Sequence, residues 1–402
     1  MTTFKKLISR EEALEIIGEN IEVIKNIERI ELGKASGRVL AESIIADFDV
    51  PPFKRSAMDG YAVIAEDTYE AGTFNPIQLR LIGVQHAGDV FAGEVRKGEC
   101  VQIATGSPIP KGADSVIMVE YTEDHDDVIE IQKPVYPGAN IAKAGEDIKK
   151  GERVLEAGTY LTPARVGAAA ALGREWLEVF KKPRVAVYST GPEIVPQGQP
   201  LEPGQIYDIN SYTLKSVIDS HGCEPVRAGI LRDTRQSIED ALTESASYDM
   251  AVFSGGSSVG ARDIFSSVVA EKGKIFFHGV LVKPGKPTLL GVISDTPLFG
   301  MPGYPTSCLS NAYIFLIPAL RKMAGLPQWT PRKTKAHLAR KIASTTGREQ
   351  FLTVRLKGDK AYPVYKQSGD ITSIARADGY IILPVNQDTM DEGEVVSVYL
   401  FQ

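Results

Sequence analysis

The sequence predicts a multidomain α/β protein: a central three-layer α/β domain with a mostly parallel sheet, a helical domain, an inserted β domain and a small C-terminal β domain. Three observations carry this. From 183 to 326, apolar strands alternate with amphipathic helices, the order required by a parallel sheet covered on both faces. Residues 46–147 and 327–402 instead show short alternating runs broken by glycine and proline. Residues 1–45 and 148–182 carry helix-start signals.

In chain order, the first helix opens at "ISREEALEII", where Ser9 stands three residues ahead of Glu12 as in a capping box and Leu14, Ile16 and Ile17 supply the apolar positions. The inserted segment follows, its clearest strands being "IQLRLIGV" (77–84) and "CVQIATG" (100–106). A second helix begins in "LTPARVGAAAALG" (161–173), with Thr162 able to cap and Pro163 at the first helical position. The central strands are "RVAVYST" (184–190), "EPVRAGIL" (224–231), "DMAVFSGG" (249–256), "KIFFHGVLV" (274–282), "TLLGVI" (288–293) and "TPLFG" (296–300). Between them lie helices at 211–222, 235–246 and 263–273, and a last one, "TSCLSNAYIFLIPALRKMAG", at 306–325. The strands "FLTVRL", "GYIILPV" and "EVVSVYLF" close the chain.

With 402 residues, 43% hydrophobic and 24% charged, the chain can bury the cores of two to four domains of roughly 100–200 residues each. A formal net charge of −6 argues against a general nucleic-acid surface or a membrane-surface protein, so an anionic ligand must be held by a local basic site. The opening "MTTFKKLISREEALEII" lacks an apolar signal core, and "AYIFLIPAL" (312–320) falls short of the roughly 18 apolar residues that span a bilayer, so a cytoplasmic protein is expected. Cys100, Cys223 and Cys308 are too far apart for a CxxC pair and read as buried thiols in a reducing compartment. His86, His125, His221, His278 and His337 show no metal-ligand spacing and read as surface or structural.

Ligands of open α/β sheets bind outside the carboxyl ends of the strands. Here those ends read "STGPE" (189–193), "RD" (232–233), "SGGSSVGARD" (254–263), "KPGKP" (283–287) and "GMPGYPTS" (300–307), five polar motifs on one rim. The glycine-rich 254–263 segment, leading into a helix, has the form of an anion cradle, the alternative being a generous turn. Lys283 and Lys286 stand three apart across a Pro-Gly turn and can grip one oxyanion. Glu193, Asp208, Asp233 and Asp263 are placed to hold a divalent ion beside a phosphate, although Asp208 and Asp233 could each cap the following helix. GxxxxGK[ST], GxGxxG and GxSxG are all absent. Asp59 in "PPFKRSAMDGYAV" and Asp147 in "GEDIKKGE" sit in turns, with a solvated turn as the plainer reading.

Taken together, "PPFKRSAMDGYAV", "ATGSPIPKGADSVI", "GEDIKKG", "STGPEI", "QIYDINSY", "SGGSSVG", "KPGKP" and "MPGYPTS" resemble the MoeA family of molybdopterin molybdenumtransferases, related to the E domain of gephyrin, nearly end to end. The resemblance implies an elongated helical part (1–45 with 148–182), an inserted β domain (46–147), an α/β domain similar to the adenylyltransferase MogA (183–326) and a C-terminal barrel-like β domain (327–402). It also implies a homodimer and a MogA- or MoaB-type adenylyltransferase as partner, while the charge reading above leaves neither nucleic acid nor membrane as a partner. The implied reaction takes adenylylated molybdopterin and molybdate to molybdenum cofactor and AMP with Mg²⁺ or a similar ion.

Carried over residue by residue, the resemblance implies that Lys283, Lys286, Ser307, Arg348 and Ser368 bind molybdate, and that Asp233 and Asp263 hold the metal. The loop with Gly255, Gly256, Ser257, Ser258 and Gly260, and the loop with Pro302, Gly303, Pro305 and Ser307, would hold the pterin and its phosphate, with Asp208 and Asn210 also on the substrate. Asp59, Thr105, Asp147 and Glu193 match polar positions of the family's cleft; Asp59 and Asp147 would reach it across a domain boundary or from the dimer partner. The chain departs from the family at Ser257, where valine is frequent, at Tyr304 in place of asparagine, and at Thr353 in place of arginine. Tyr304 offers a ring to stack on or a change in loop hydrogen bonding. Tungstate, of nearly the same size and charge, remains an alternative to molybdate. A gephyrin-like scaffold would need a peptide groove and no intact rim, and MogA-like adenylyl transfer would consume ATP.

Overall fold

The computed structural model describes residues 7–255, 264–343, 347–364 and 369–401. The chain divides into two compact units, one comprising Met1–Arg29, Gly37–Ala41 and Glu178–Gln402, the other Ile30–Ser36 and Glu42–Leu177.

In the larger unit, the runs Arg184–Thr190 and Met250–Ser254 are buried at every position but Arg184 because both faces of each strand are covered. Side chains alternate between two cores. Val185, Val187, Met250 and Val252 meet Leu214 and Ile218 of the helix Asn210–Ser220, together with Phe315 and Leu320. Ala186, Tyr188, Ala251 and Phe253 meet Ile238 and Leu242 of Arg235–Ser245, and Phe265 and Val268 of Ile264–Lys272. The six strands run in the order Glu224–Leu231, Arg184–Thr190, Met250–Ser254, Thr296–Met301, Leu289–Ile293, Lys274–His278. The first four are mutually parallel, and the fifth is antiparallel to both neighbours, so the sixth runs with the first four. Their carboxyl ends therefore share one rim.

The expected strand "KIFFHGVLV" is broken in two. Lys274–His278 stays in this sheet, whereas Val282–Lys283 pairs with Glu349–Gln350 and joins another. The reason is a change of partner: the Val280 amide turns back to the Lys286 carbonyl at 2.9 Å, and the Glu349 amide donates to the Leu281 carbonyl at 2.9 Å. That other sheet is a closed five-stranded barrel made of Lys333–Leu338, Glu349–Lys357, Lys360–Pro363, Gly379–Leu383 and Val395–Leu400. Leu352, Val354, Ile381 and Val398 fill it, while Phe351 and Tyr380 face out into the α/β core.

The helix Arg10–Asn20 starts at Ser9, whose hydroxyl accepts from the Glu12 amide at 3.0 Å, and lends Ile17 and Ile21 to the α/β core. The long C-terminal helix of the sequence reading is α-helical over Pro305–Asn311 and Ile317–Met323 with a π-helical turn, Ala312–Leu316, between them. Pro318 cannot donate to the ladder, and a widened turn just before it accommodates the loss.

In the smaller unit a mixed six-stranded sheet runs in the order Ser115–Met118, Gly60–Val63, Glu99–Ile103, Ile77–Gln85, Val128–Ile131, Thr122–His125. Tyr61, Leu79, Cys100, Ile117 and Ile129 form its core. The helix Pro163–Ala171 is capped by Thr162, as expected. All three cysteines are buried and free, and burial pushes each thiol up to about 12. Among the described residues no helix is long and apolar enough to cross a membrane.

Candidate functional site

The rim of the parallel strands is held together at backbone level. Gly255, which follows the strand Met250–Ser254, donates its amide to the Met301 carbonyl at 3.1 Å. Its φ is 93°, and a Cβ there would lie 2.3 Å from the Thr190 carbonyl oxygen, so the position admits only glycine. A Cβ on Gly303 would lie 3.5 Å from the Gly255 Cα, so the loops after 254 and 301 meet at these two residues. Asn210 ties them further, its Nδ2 donating to Ser254 Oγ at 2.7 Å and to the Gly303 carbonyl at 2.8 Å. Its buried Oδ1 accepts no hydrogen bond among the described residues, which leaves an acceptor open where the loops converge.

The acids of this rim separate into two kinds. Asp208 is buried and satisfied from within: Ser189 Oγ and the Ser211 amide donate to Oδ1 at 2.9 and 3.0 Å, and the Arg227 guanidinium stands 3.8 Å from Oδ2. Asp208 thus accepts a first-turn amide of the helix Asn210–Ser220 from one residue before its N-cap, Ile209. Asp233 has no such duty, because its neighbour Thr234 caps the helix Arg235–Ser245 by accepting from the Ser237 amide at 3.3 Å. The Glu193 and Asp233 carboxylates enter no hydrogen bond or ion pair among the described residues, and Glu193 is exposed. Gly256, Ser257, Ser258, Gly260, Asp263 and Ser368 lie outside the described residues.

Four of the five expected oxyanion ligands, Lys283, Lys286, Arg348 and Ser307, come from elements joined by direct bonds. Lys283 lies opposite Gln350 in the parallel pair, which puts the lysine loop beside Arg348. That strand is pinned by Arg10, whose Nε donates to Glu349 Oε2 at 2.8 Å. Ser307 sits buried in the helix that Pro305 opens, just after Pro302 and Gly303, and Thr306 Oγ1 donates to the Asp370 carbonyl at 3.1 Å, bringing in the segment that follows Ser368. Lys283, Lys286 and Arg348 are half-buried. Tyr304 is 65% exposed, so its ring is offered to solvent and not packed into the fold.

In the other unit Asp59 and Thr105 are brought together. The Thr105 amide and hydroxyl donate to Asp59 Oδ1 at 2.7 and 2.9 Å, and these two bonds hold the carboxyl below its usual range. A cleft of about 210 Å³ opens beside Asp59, lined by Tyr61, Gln85, His86 and Gln102. Asp147 is exposed and fixed through its backbone, its amide donating to the Val50 carbonyl at 3.0 Å. Strand pairing also sets His125 among Glu123 and Glu130, a grouping no sequence spacing reveals, but all three are solvated or at the sheet surface. Sequence reasoning missed Ser189, Ser254 and Asn311. The first two stand in quoted motifs as strand residues, and the third is hidden in an apolar helix.

Family models match along the chain: "MoeA N-terminal region (domain I and II)" over residues 8–173, "Probable molybdopterin binding domain" over 186–322, and "MoeA C-terminal region (domain IV)" over 335–401. The chain is 33% identical to a molybdopterin molybdenumtransferase of Haemophilus influenzae over 93% of this chain and 94% of that one. It is 31% identical to another from a Nostoc species over 93% of this chain and 88% of that one. A crystal structure of a molybdopterin biosynthesis MoeA protein from Pyrococcus horikoshii superposes with a TM-score of 0.85 at 41% identity, covering 99% of this chain and 100% of that one.

Proposed function

The chain belongs to the MoeA family, and from that premise we propose that it is a molybdopterin molybdenumtransferase, inserting an oxyanion metal into adenylylated molybdopterin with release of AMP. The observation that carries this reading is the joining of the lysine loop to the strand that follows Arg348, with Ser307 on the helix packed beside the loop. Two ammonium groups, one guanidinium and a hydroxyl suit a small dianionic tetrahedral oxyanion, whose charge the cations offset and whose oxygens the donors orient. Ser368 completes the proposed set.

The close approach of Gly255 and Gly303, where no side chain intervenes, suits a loop pair that holds the pterin and its phosphate against backbone. A hard divalent cation such as Mg²⁺ fits the donor chemistry of Asp233, whose carboxylate is spared from capping, and Asp263 would join it. When bound, the ion neutralises charge on the phosphoanhydride. Glu193, and Asp59, Thr105 and Asp147 of the other unit, complete the proposal as polar groups of the same reaction. The reading extends to a cytoplasmic homodimer supplied by a MogA- or MoaB-type adenylyltransferase, and to four domains at 1–45 with 148–182, 46–147, 183–326 and 327–402.

The test is AMP release from adenylylated molybdopterin by the purified protein with Mg²⁺, comparing no oxyanion, molybdate and tungstate. Stimulation by one oxyanion, with its metal in the pterin product, is expected and identifies the metal. Tight pterin binding without release in any arm overturns the reading.

A further inference from the structure

Asn311 lies four residues after Ser307 on the same helix, so their side chains stand one above the other on a single face. It is fully buried, yet it is not spent on its own helix. Its Nδ2 donates to the Gly285 carbonyl at 2.6 Å and to Thr288 Oγ1 at 2.5 Å, and Thr288 Oγ1 in turn donates to the same carbonyl at 3.1 Å. Both amide protons are thus used on the loop between Lys283 and Thr288, one of them at Gly285, which lies between the two lysines. The fit is close: with φ of 102°, a Cβ on Gly285 would come within 2.4 Å of the Asn311 amide. Asn311 Oδ1 is buried and accepts nothing among the described residues, a cost that leucine of similar size would avoid.

We propose that Asn311 is a positioning residue that locks the lysine loop to the helix face carrying Ser307, so that Lys283, Lys286 and the Ser307 hydroxyl converge on one tetrahedral oxyanion. The proposal rests on the transferase reading above and adds to it the element that sets oxyanion affinity. Backbone bonds fix the ends of the loop, through Val280 to the Lys286 carbonyl at 2.9 Å and through the pairing of Lys283 with Gln350. The Pro284–Gly285 tip is held by this side chain. Two flexible ammonium stems bind an anion well only if their Cα positions are fixed beforehand, since loop disorder is subtracted from affinity.

The test uses the full chain with Asn311→Leu, which keeps size and removes both donors, and Thr288→Val, which removes one of the two contacts. Initial rates of AMP release are measured against molybdate and against adenylylated molybdopterin, with molybdate binding followed separately by calorimetry. The expected result for Asn311→Leu is a KM for molybdate raised about tenfold, as for loss of one or two well-placed hydrogen bonds, with kcat and the pterin KM within about twofold of wild type. Thr288→Val shifts the molybdate KM in the same direction by less, and it decides the matter if Asn311→Leu does not fold. An unchanged molybdate KM in folded variants, or kcat and both KM values moving together, overturns the proposal. The kinetics are read with whichever oxyanion the wild-type protein uses, and a wild-type protein that ignores both molybdate and tungstate removes the transferase reading itself, a control that separates the two failures.

Discussion

His221 stands with its imidazole edge-on to Trp329, ring centroids 5.1 Å apart, and burial, helped by the Arg321 charge, lowers it to about 4. An unfolded chain takes up this proton near pH 6.5, so the neutral imidazole contributes its full stability above that pH and loses it as pH falls from about 6.5 toward 4. In His221→Phe the acid-side decline of the melting temperature between those limits is expected to flatten, as read by thermal unfolding across pH; an equally steep decline would assign the acid sensitivity elsewhere. At this scale the sequence is informative where chemistry is local. Lys283 and Lys286 stand out through their spacing across a Pro-Gly turn, and the cysteines through their isolation. Asn311 and His221 do not, because their roles come from partners 23 and 108 residues away.

Among the elements, the junction before Arg235–Ser245 separates two duties that sequence alone assigns to either neighbour. Thr234 caps, so Thr234→Ala is expected to cost about 1 kcal/mol of stability, seen in denaturant unfolding. Asp233→Asn is expected to leave stability unchanged and to lower AMP release at least about tenfold, the loss expected of a removed charge on a phosphate-bound cation. A stability loss in Asp233→Asn with normal activity would return that residue to a structural role. Helix starts at Ser9 and Thr162 were legible because a cap is a contact three residues long. The division of "KIFFHGVLV" between two sheets was not, since the periodicity of a strand carries no mark of which neighbour it will pair with.

On the scale of the whole molecule, the two tryptophans fall in different units, Trp176 in the smaller and Trp329 in the larger. Phe351 and Tyr380 of the barrel share a core with the α/β layers, so barrel and α/β domain are expected to unfold as one. Single-tryptophan variants, Trp176→Phe and Trp329→Phe, should therefore report two transitions by fluorescence, with only the Trp329 transition following the pH dependence of His221. Coincident curves in both variants at every pH would show one cooperative block. The alternation of strands and helices made the α/β layers readable. What it does not show is that Met1–Arg29 falls in the same compact unit as those layers, because burial of Ile17 and Ile21 depends on a surface supplied by residues around 315–323.

That dependence has a price during translation. The helix Arg10–Asn20 leaves the ribosome early, but the residues that cover it, around Phe315 and the Met323 carbonyl that receives the Ile24 amide, are made nearly three hundred residues later. At about 5–20 residues per second, Ile17 and Ile21 wait roughly 15–60 s without cover. The smaller unit lies almost wholly within that interval and can close first. The apolar stripe of the first helix is thus the stretch of nascent chain that a holding chaperone would shield longest, and slower synthesis lengthens its exposure.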